Sequence, residues 1–112
     1  MRNIDIQAIG NKAGYFDAAS MATNLTGQKV DISQMNNYSI QSYWTGTPVG
    51  NLVVQESNDG SIWLTVNSSA AGGASGSTIY SKVDAASKYI RYIYNATSST
   101  GALTTKIFAK GF

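Results

Sequence analysis

Cysteine and histidine are both absent from the 112 residues, proline occurs once, and only 12% of the residues are charged. Without cysteine the chain has no disulfide, thiolate nucleophile or thiolate metal ligand, and without histidine it lacks the commonest general base and transition-metal ligand. The six acidic residues are dispersed, with no spacing that indicates a catalytic pair. We therefore expect no enzymatic activity, no catalytic residues, no cofactor and no metal site.

Charge is not only scarce but evenly spread. Eight basic and six acidic residues are scattered singly and give a formal net charge of +2. No basic stripe is present to neutralise phosphates, so nucleic acid is not an expected partner. The sequence also lacks a secretory signal and any apolar run of the length that a membrane helix needs. We therefore expect that the protein does not associate with a membrane and that it is made in a cytoplasm.

The chain does contain regular alternation between apolar and polar residues, which is typical of β-strands. Such faces are formed by Tyr38, Ile40, Ser42 and Trp44, and by Leu103, Thr105, Ile107 and Ala109. Turn signals such as "TGTPVG" and "SNDGS" separate the runs at intervals of about 8 to 12 residues. This pattern predicts an all-β protein: a single antiparallel β-sandwich domain over residues 1–112, jelly-roll-like, with about 7 to 8 strands.

Two segments depart from this pattern. Residues 1–26 are less regular and rich in small and amide residues, so they are a candidate N-terminal arm that becomes ordered on meeting a partner. On that view, the sandwich should still fold when they are removed. Residues 67–77, "NSSAAGGASGS", contain only small and amide residues and are interpreted as a flexible Gly/Ser loop.

A family resemblance extends these expectations. The stretch "YSIQSYWTGTPVGNLVVQESNDGSIW", continued by "KYIRYIYNATSSTGALTTKIFAKG", resembles a group of small β-sandwich proteins common in tailed phages and prophages. The resemblance covers residues 30–111, is most specific over residues 38–63 and is weak in the first 25. It departs from the family in the single residue, Ile62, between Ser61 and Trp63. "SNDGSIW" is also similar, more distantly, to discoidin-type galactose-binding sandwiches, which is an analogy of fold alone.

The resemblance implies a structural virion protein, assembled in the host cytoplasm. Its most specific form is a head decoration or cement protein that stabilises the capsid by bridging capsomers, with the major capsid protein as partner and a homo-oligomer, trimer or dimer, as the working unit. A glycan-binding module and a tail or baseplate accessory protein are the alternatives.

Candidate interface residues are mainly aromatic. Phe108 shares a strand face with Lys106 and Lys110, where an aromatic is hard to explain as core, and Phe112 is the last residue. For Phe108, simple exposure is the competing interpretation. The candidate set is Phe108, Phe112, Tyr15, Phe16 and Arg91.

Candidate glycan contacts are Trp63 and Tyr43, because aromatic rings stack on sugars. Burial in the core is nevertheless the favoured interpretation for both Trp44 and Trp63, since both lie in phase with strand patterns. In "KYIRYIYN", Tyr92 and Tyr94 share a face opposite Arg91, which favours core tyrosines and an exposed, salt-bridging arginine over a stacking platform.

Asp59 in "SNDG" is interpreted as a turn residue. Calcium requires six to eight oxygen ligands, and the nearest acids in sequence, Glu56 and Asp84, do not form a cluster with it.

Overall fold

A computed structural model describes residues 2–5, 15–33, 35–98 and 100–111, with the backbone alone at 2–5 and 98. The predicted fold class is confirmed, because ten strands form two antiparallel sheets of a β-sandwich. These ranges contain no helix, and therefore none long and apolar enough to cross a membrane.

Sheet 1 contains the longest run of alternating residues. Its strands are β1 (Arg2–Asp5), β2 (Phe16–Ser20), β5 (Asn37–Thr45), β8 (Gly76–Lys82) and β10 (Ala102–Gly111). The order is β1–β10–β5–β8, and β2 also pairs with β10. Because β1 and β2 pair with different halves of β10, they are two pieces of one broken edge strand.

Sheet 2 has the same plan. Its strands are β3 (Leu25–Thr26), β4 (Val30–Asp31), β6 (Val49–Ser57), β7 (Leu64–Gly72) and β9 (Tyr89–Ser98). The order is β3–β9–β6–β7, and β4 also pairs with β9. Here β3 and β4 are the two pieces of the broken edge strand.

When each broken strand is counted once, eight positions remain and their pairing is nested. The first pairs with the last (β1/β2 with β10), the second with the seventh (β3/β4 with β9), β5 with β8 and β6 with β7. This is one long hairpin, which is rolled up so that β10 also pairs with β5 and β9 with β6. The topology is that of a jelly roll, as predicted.

The core lies between the sheets, on the faces that the alternation predicted. Tyr38, Ile40, Ser42 and Trp44 of β5 are all buried, as are Leu103, Thr105, Ile107 and Ala109 of β10. A polar contact also joins the sheets within the core: Ser42 Oγ donates to Tyr92 Oη at 3.0 Å and lies 3.1 Å from Thr105 Oγ1. The buried hydroxyls therefore have partners, which spares the cost of unsatisfied polar groups.

The prediction of a flexible loop at residues 67–77 is wrong. Residues 67–72 belong to β7, which pairs with β6, and residues 76–77 begin β8, which pairs with β5. Only residues 73–75 lie between these strands. The small side chains do not prevent pairing, because a sheet ladder is made by the backbone.

The expectation of a separable arm at residues 1–26 also needs correction. β1 and β2 pair with β10, and β3 pairs with β9. Tyr15, Phe16 and Met21 are buried in the core. Residues 2–5 and 15–26 are therefore part of the sandwich, and residues 6–14 lie outside the described chain.

Candidate interaction surfaces

The outer face of sheet 1, called here the β10 face, exposes three large apolar side chains. The register aligns outward residues across β10, β5 and β8 in rows: Phe108, Ser39 and Ser81; Lys106, Gln41 and Ile79; Thr104, Tyr43 and Ser77. In these rows, Ile79 is 63% exposed, and Tyr43 and Phe108 are each 41% exposed. Their neighbours are mostly hydroxyl and amide side chains, so the face is polar but largely uncharged.

On the strands β5, β8 and β10 of this face the charges have one sign. Among their outward positions the charged residues are Lys106 and Lys110, whereas the broken edge strand beside β10 carries Asp5, in register with Phe108, and the exposed Asp17. At one end of the face, Phe108, Lys110 and the exposed Val83 help to line an open cleft of about 310 Å³. The strands β5, β8 and β10 therefore combine exposed apolar groups with positive charge, which suits a partner surface that carries carboxylates at this position.

The predicted interface residues do not lie together. Phe108 is exposed as expected, whereas Phe112 lies outside the described residues. Tyr15 and Phe16 are 3% and 8% exposed, so their assignment to an interface is wrong. The centres of their rings lie 5.0 Å apart in an edge-to-face arrangement. The Tyr15 hydroxyl donates a hydrogen bond to the Gln28 carbonyl. Burial raises the pKa of the Tyr15 hydroxyl, which therefore stays protonated as a donor.

Arg91 lies on the other side of the molecule, on the outer face of sheet 2. Its guanidinium carbon lies 4.4 Å from the centre of the Trp63 ring, and its Nε donates to Gln55 Oε1 at 2.8 Å. Gln55 Nε2 in turn donates to Thr65 Oγ1 at 3.3 Å. Arg91 thus stacks on an aromatic ring and binds an amide, where the sequence predicted a salt bridge.

Trp63 is half-buried, so its interpretation as a core residue is wrong. It ends the loop Asn58–Trp63 between β6 and β7 and is held against Arg91. Trp44, in contrast, is only 7% exposed and its Nε1 donates to the Ala74 carbonyl at 2.8 Å, which confirms its place in the core. Since Tyr43 projects from sheet 1 and Trp63 packs on sheet 2, these two candidate glycan contacts cannot form one platform.

The remaining aromatic and acidic candidates have structural roles. Tyr92 and Tyr94 are buried, as the alternation predicted. Burial raises the pKa of Tyr92 to about 12. Asp59 Oδ1 accepts hydrogen bonds from the backbone N–H groups of Ser61 and Ile62 at 2.8 and 2.9 Å, which confirms a turn residue. These bonds, with the Ser57 hydroxyl, lower the pKa of Asp59. Within the described ranges, no group of three acidic side chains could hold a metal ion.

A buried carboxylate, Glu56, was not singled out from the sequence. Glu56 is 7% exposed, and its Oε2 accepts from the Tyr38 hydroxyl at 2.6 Å and from Lys82 Nζ at 2.8 Å. Its Oε1 accepts from the Ser87 hydroxyl at 2.5 Å. Tyr38 and Lys82 belong to sheet 1 and Glu56 to sheet 2, so this cluster ties the two sheets together. Alternation places Glu56 on the inner face, but its partners are too distant in sequence for the pattern to reveal.

A second surface that the sequence did not indicate lies beside this cluster. Ile62, Leu64 and Val66 are 71%, 69% and 37% exposed. Together with Glu56 and Ser87, they line an open cleft of about 390 Å³ at the start of β7.

Solved structures share this fold, although no model of a known protein family and no curated protein matches the chain. YomS, derived from the SPBc2 prophage, is similar with a TM-score of 0.61 and 7% identity, over 96% of this chain and 89% of YomS. The PBSX exported protein XepA gives a TM-score of 0.66 at 13% identity, over 98% of this chain but only 37% of XepA. Chitosan-binding module 1, from a chitosanase/glucanase of Paenibacillus sp. IK-5, gives a TM-score of 0.57 at 16% identity, over 90% of this chain and 80% of the module.

These identities establish a shared fold and no more, because one sandwich fold serves many functions. Prophage-derived YomS and XepA are among the proteins that share this fold. No sequence family is established.

Proposed function

We propose that this chain is a structural protein of phage particles, most specifically a head decoration protein that binds the major capsid protein through the β10 face. The observation that carries the proposal is the exposure of Tyr43, Ile79 and Phe108 on one face, among hydroxyl and amide side chains. Exposed apolar groups of this kind mark protein contacts, and aromatic residues are enriched there. The fold shared with prophage-derived proteins supports a phage origin.

In this proposal the protein acts by burial and not by chemistry. An interface of ordinary size buries about 800 Å² on each partner, and the lysines of the β10 face would orient it toward an acidic capsid surface. A symmetric homo-oligomer, a dimer or trimer, would hold neighbouring capsomers through several such contacts, so that the avidity exceeds the affinity of one. The chain would be made in the host cytoplasm and reside in the virion, with no catalytic step.

The direct test adds the purified protein to phage heads assembled without it. We expect saturation at a fixed number of copies per capsomer and a higher temperature of head disruption. Phe108→Ala should weaken binding about tenfold to thirtyfold, because truncating a central interface aromatic costs roughly 1.4–2 kcal/mol. Trp63→Ala, on the opposite sheet, is the matched control and should bind normally. Binding of only a few copies, or equal binding by the Phe108 variant, would contradict the proposal.

Glycan binding is the second candidate, and the Trp63 cluster favours it. Arg91 covers one face of the indole ring, while Gln55 and Thr65 extend a row of polar side chains beside it. A ring fixed in this way is suited to stack on a sugar, and a chitosan-binding module shares the fold.

Tryptophan fluorescence separates the two candidates. The chain has two tryptophans, and Trp44 is buried, so a bound sugar should quench mainly Trp63. Titration with chitosan oligosaccharides should then give saturable quenching that Trp63→Phe abolishes. An unchanged spectrum would remove the support for a chitosan-type ligand at this cluster.

A further inference from the structure

β7 is an edge strand that lacks two of the usual protections, charge and proline, although it has an irregularity between Thr65 and Asn67. Among the described residues it pairs only with β6, so the backbone groups along its other side have no strand beside them. Its nine residues, "LTVNSSAAG", include no charged residue and no proline. Edge strands of monomeric proteins commonly carry charges or prolines that prevent pairing with another chain.

The two halves of this edge strand differ in the size of their side chains. The first half, with the loop before it, projects Ile62, Leu64 and Val66, all exposed. The second half is small, from Ala70 to Gly73, and a Cβ placed on Gly72 or Gly73 would meet nothing within 4 Å. In an antiparallel pair of identical strands, the large half of one lies beside the small half of the other. The strand is therefore complementary to itself.

We propose that β7 pairs antiparallel with β7 of a second copy of this chain, about a two-fold axis near Ser68 and Ser69. The pair would join the two copies of sheet 2 into one continuous sheet. A closed, two-fold contact of this type also covers the edge that each copy leaves open.

The absence of charged residues from β7 favours a second copy of this chain, and not a different protein, as the partner. Since Leu64–Gly72 has no ionisable side chain, self-pairing brings no like charges together and offers nothing to select a charged partner. The ladder to β6 is irregular between Thr65 and Asn67. An axis near the two serines places the regular part of each β7 at the centre of the contact. This inference does not depend on the phage role.

The mass in solution is the first test. Sedimentation equilibrium should give twice the 11.9 kDa of the chain. Val66→Lys would bring a charge to the contact and should raise the dissociation constant at least tenfold. Ile79→Lys is the matched control, because Ile79 is also an exposed branched residue on an edge strand, β8. Its dimer should be unchanged.

Single cysteines test the strand that pairs, and the chain has no native cysteine to interfere. Residues directly opposite in an antiparallel pair have Cα atoms about 4.5–5.5 Å apart, which a disulfide can span. Under mild oxidation, Ser68→Cys or Ser69→Cys should give a disulfide-linked dimer in high yield. Ser77→Cys and Ser81→Cys on β8 should not.

Two results would overturn the inference. One is a monomer at every concentration tested. The other is a dimer in which the β8 cysteines cross-link as readily as those of β7.

Discussion

Glu56→Gln tests the cluster that ties the two sheets together. The substitution keeps the shape of the side chain but removes its charge. Glutamine can still accept from the Tyr38 hydroxyl through its oxygen, and its amide can donate to the Ser87 hydroxyl, which rotates to accept. What is lost is the charged partner of Lys82, whose Nζ lies 2.8 Å from Glu56 Oε2.

The magnitude follows from the burial of the two partners. Breaking a fully buried ion pair costs about 3–5 kcal/mol. Here the Lys82 side chain is 30% exposed and can turn to water, whereas the Glu56 side chain is 8% exposed. A hydrogen bond to a charged group is worth about 1.5–3 kcal/mol, and the glutamine retains part of that. We expect the free energy of unfolding to fall by about 1–3 kcal/mol at neutral pH.

The loss should depend on pH in a defined direction. Burial by itself would raise the pKa of Glu56, but hydrogen bonds from Lys82, Ser87 and Tyr38, with the charge of Lys82, outweigh it, and the pKa lies below its usual value. A carboxyl whose pKa is lower in the folded state stabilises the protein above its unfolded pKa, about 4.3. That stabilisation disappears as the pH falls through the folded pKa. The wild-type protein should then approach the variant.

Urea unfolding of both proteins near pH 7 and near pH 3 provides the assay. The other carboxylates titrate alike in the two proteins, so their contribution cancels from the difference. Lys82→Met and the double variant complete a cycle that isolates the coupling between Glu56 and Lys82. A difference in unfolding free energy that is the same at both pH values, or a coupling near zero at pH 7, would refute the ion pair as the source of stability.

Three further predictions concern the fold. Trp44→Ala should cost about 3–5 kcal/mol and lower the melting temperature by roughly 12–20 °C, and an unchanged melting curve would show that Trp44 is not core. Removal of residues 1–26 should abolish cooperative unfolding, since it deletes β1, β2 and the buried Tyr15, Phe16 and Met21; a cooperative transition in circular dichroism would contradict this. Gly101→Ala should destabilise by about 1–3 kcal/mol in urea unfolding, because Gly101 has φ +115° and a Cβ there would collide with the Thr45 carbonyl oxygen.

The inner faces of the central strands could be predicted from sequence because alternation is a local property. In β5 and β10, every second residue is buried over the whole strand, and the sequence shows this without reference to any partner strand. The same pattern placed Glu56 on the inner face of β6. It could not supply Lys82 and Ser87, which lie 26 and 31 residues away and are brought to Glu56 only by the topology.

The segments that were wrongly interpreted depend on distant strands. The small side chains of β7 predict a loop, yet β6 supplies a backbone ladder along its length. The irregular sequence around β2 predicts part of an arm, yet β10 pairs with it from the far end of the chain. Trp63 shows a different limit. It lies at the end of a six-residue loop, where alternation no longer tells which way a side chain points.

The low content of charged residues bears directly on how this protein associates with other chains. About a quarter of residues are charged in an average domain, against 12% here. Such charges would normally guard edge strands, but β7 has none, and the one charge of β8, Lys82, bonds to Glu56 between the sheets. On the β10 face the two lysines leave Tyr43 and Phe108 exposed between hydroxyl and amide groups. The scarcity of charge that argues against catalysis therefore also leaves one edge and one face open to other chains, and this is why both proposals for this protein concern assembly.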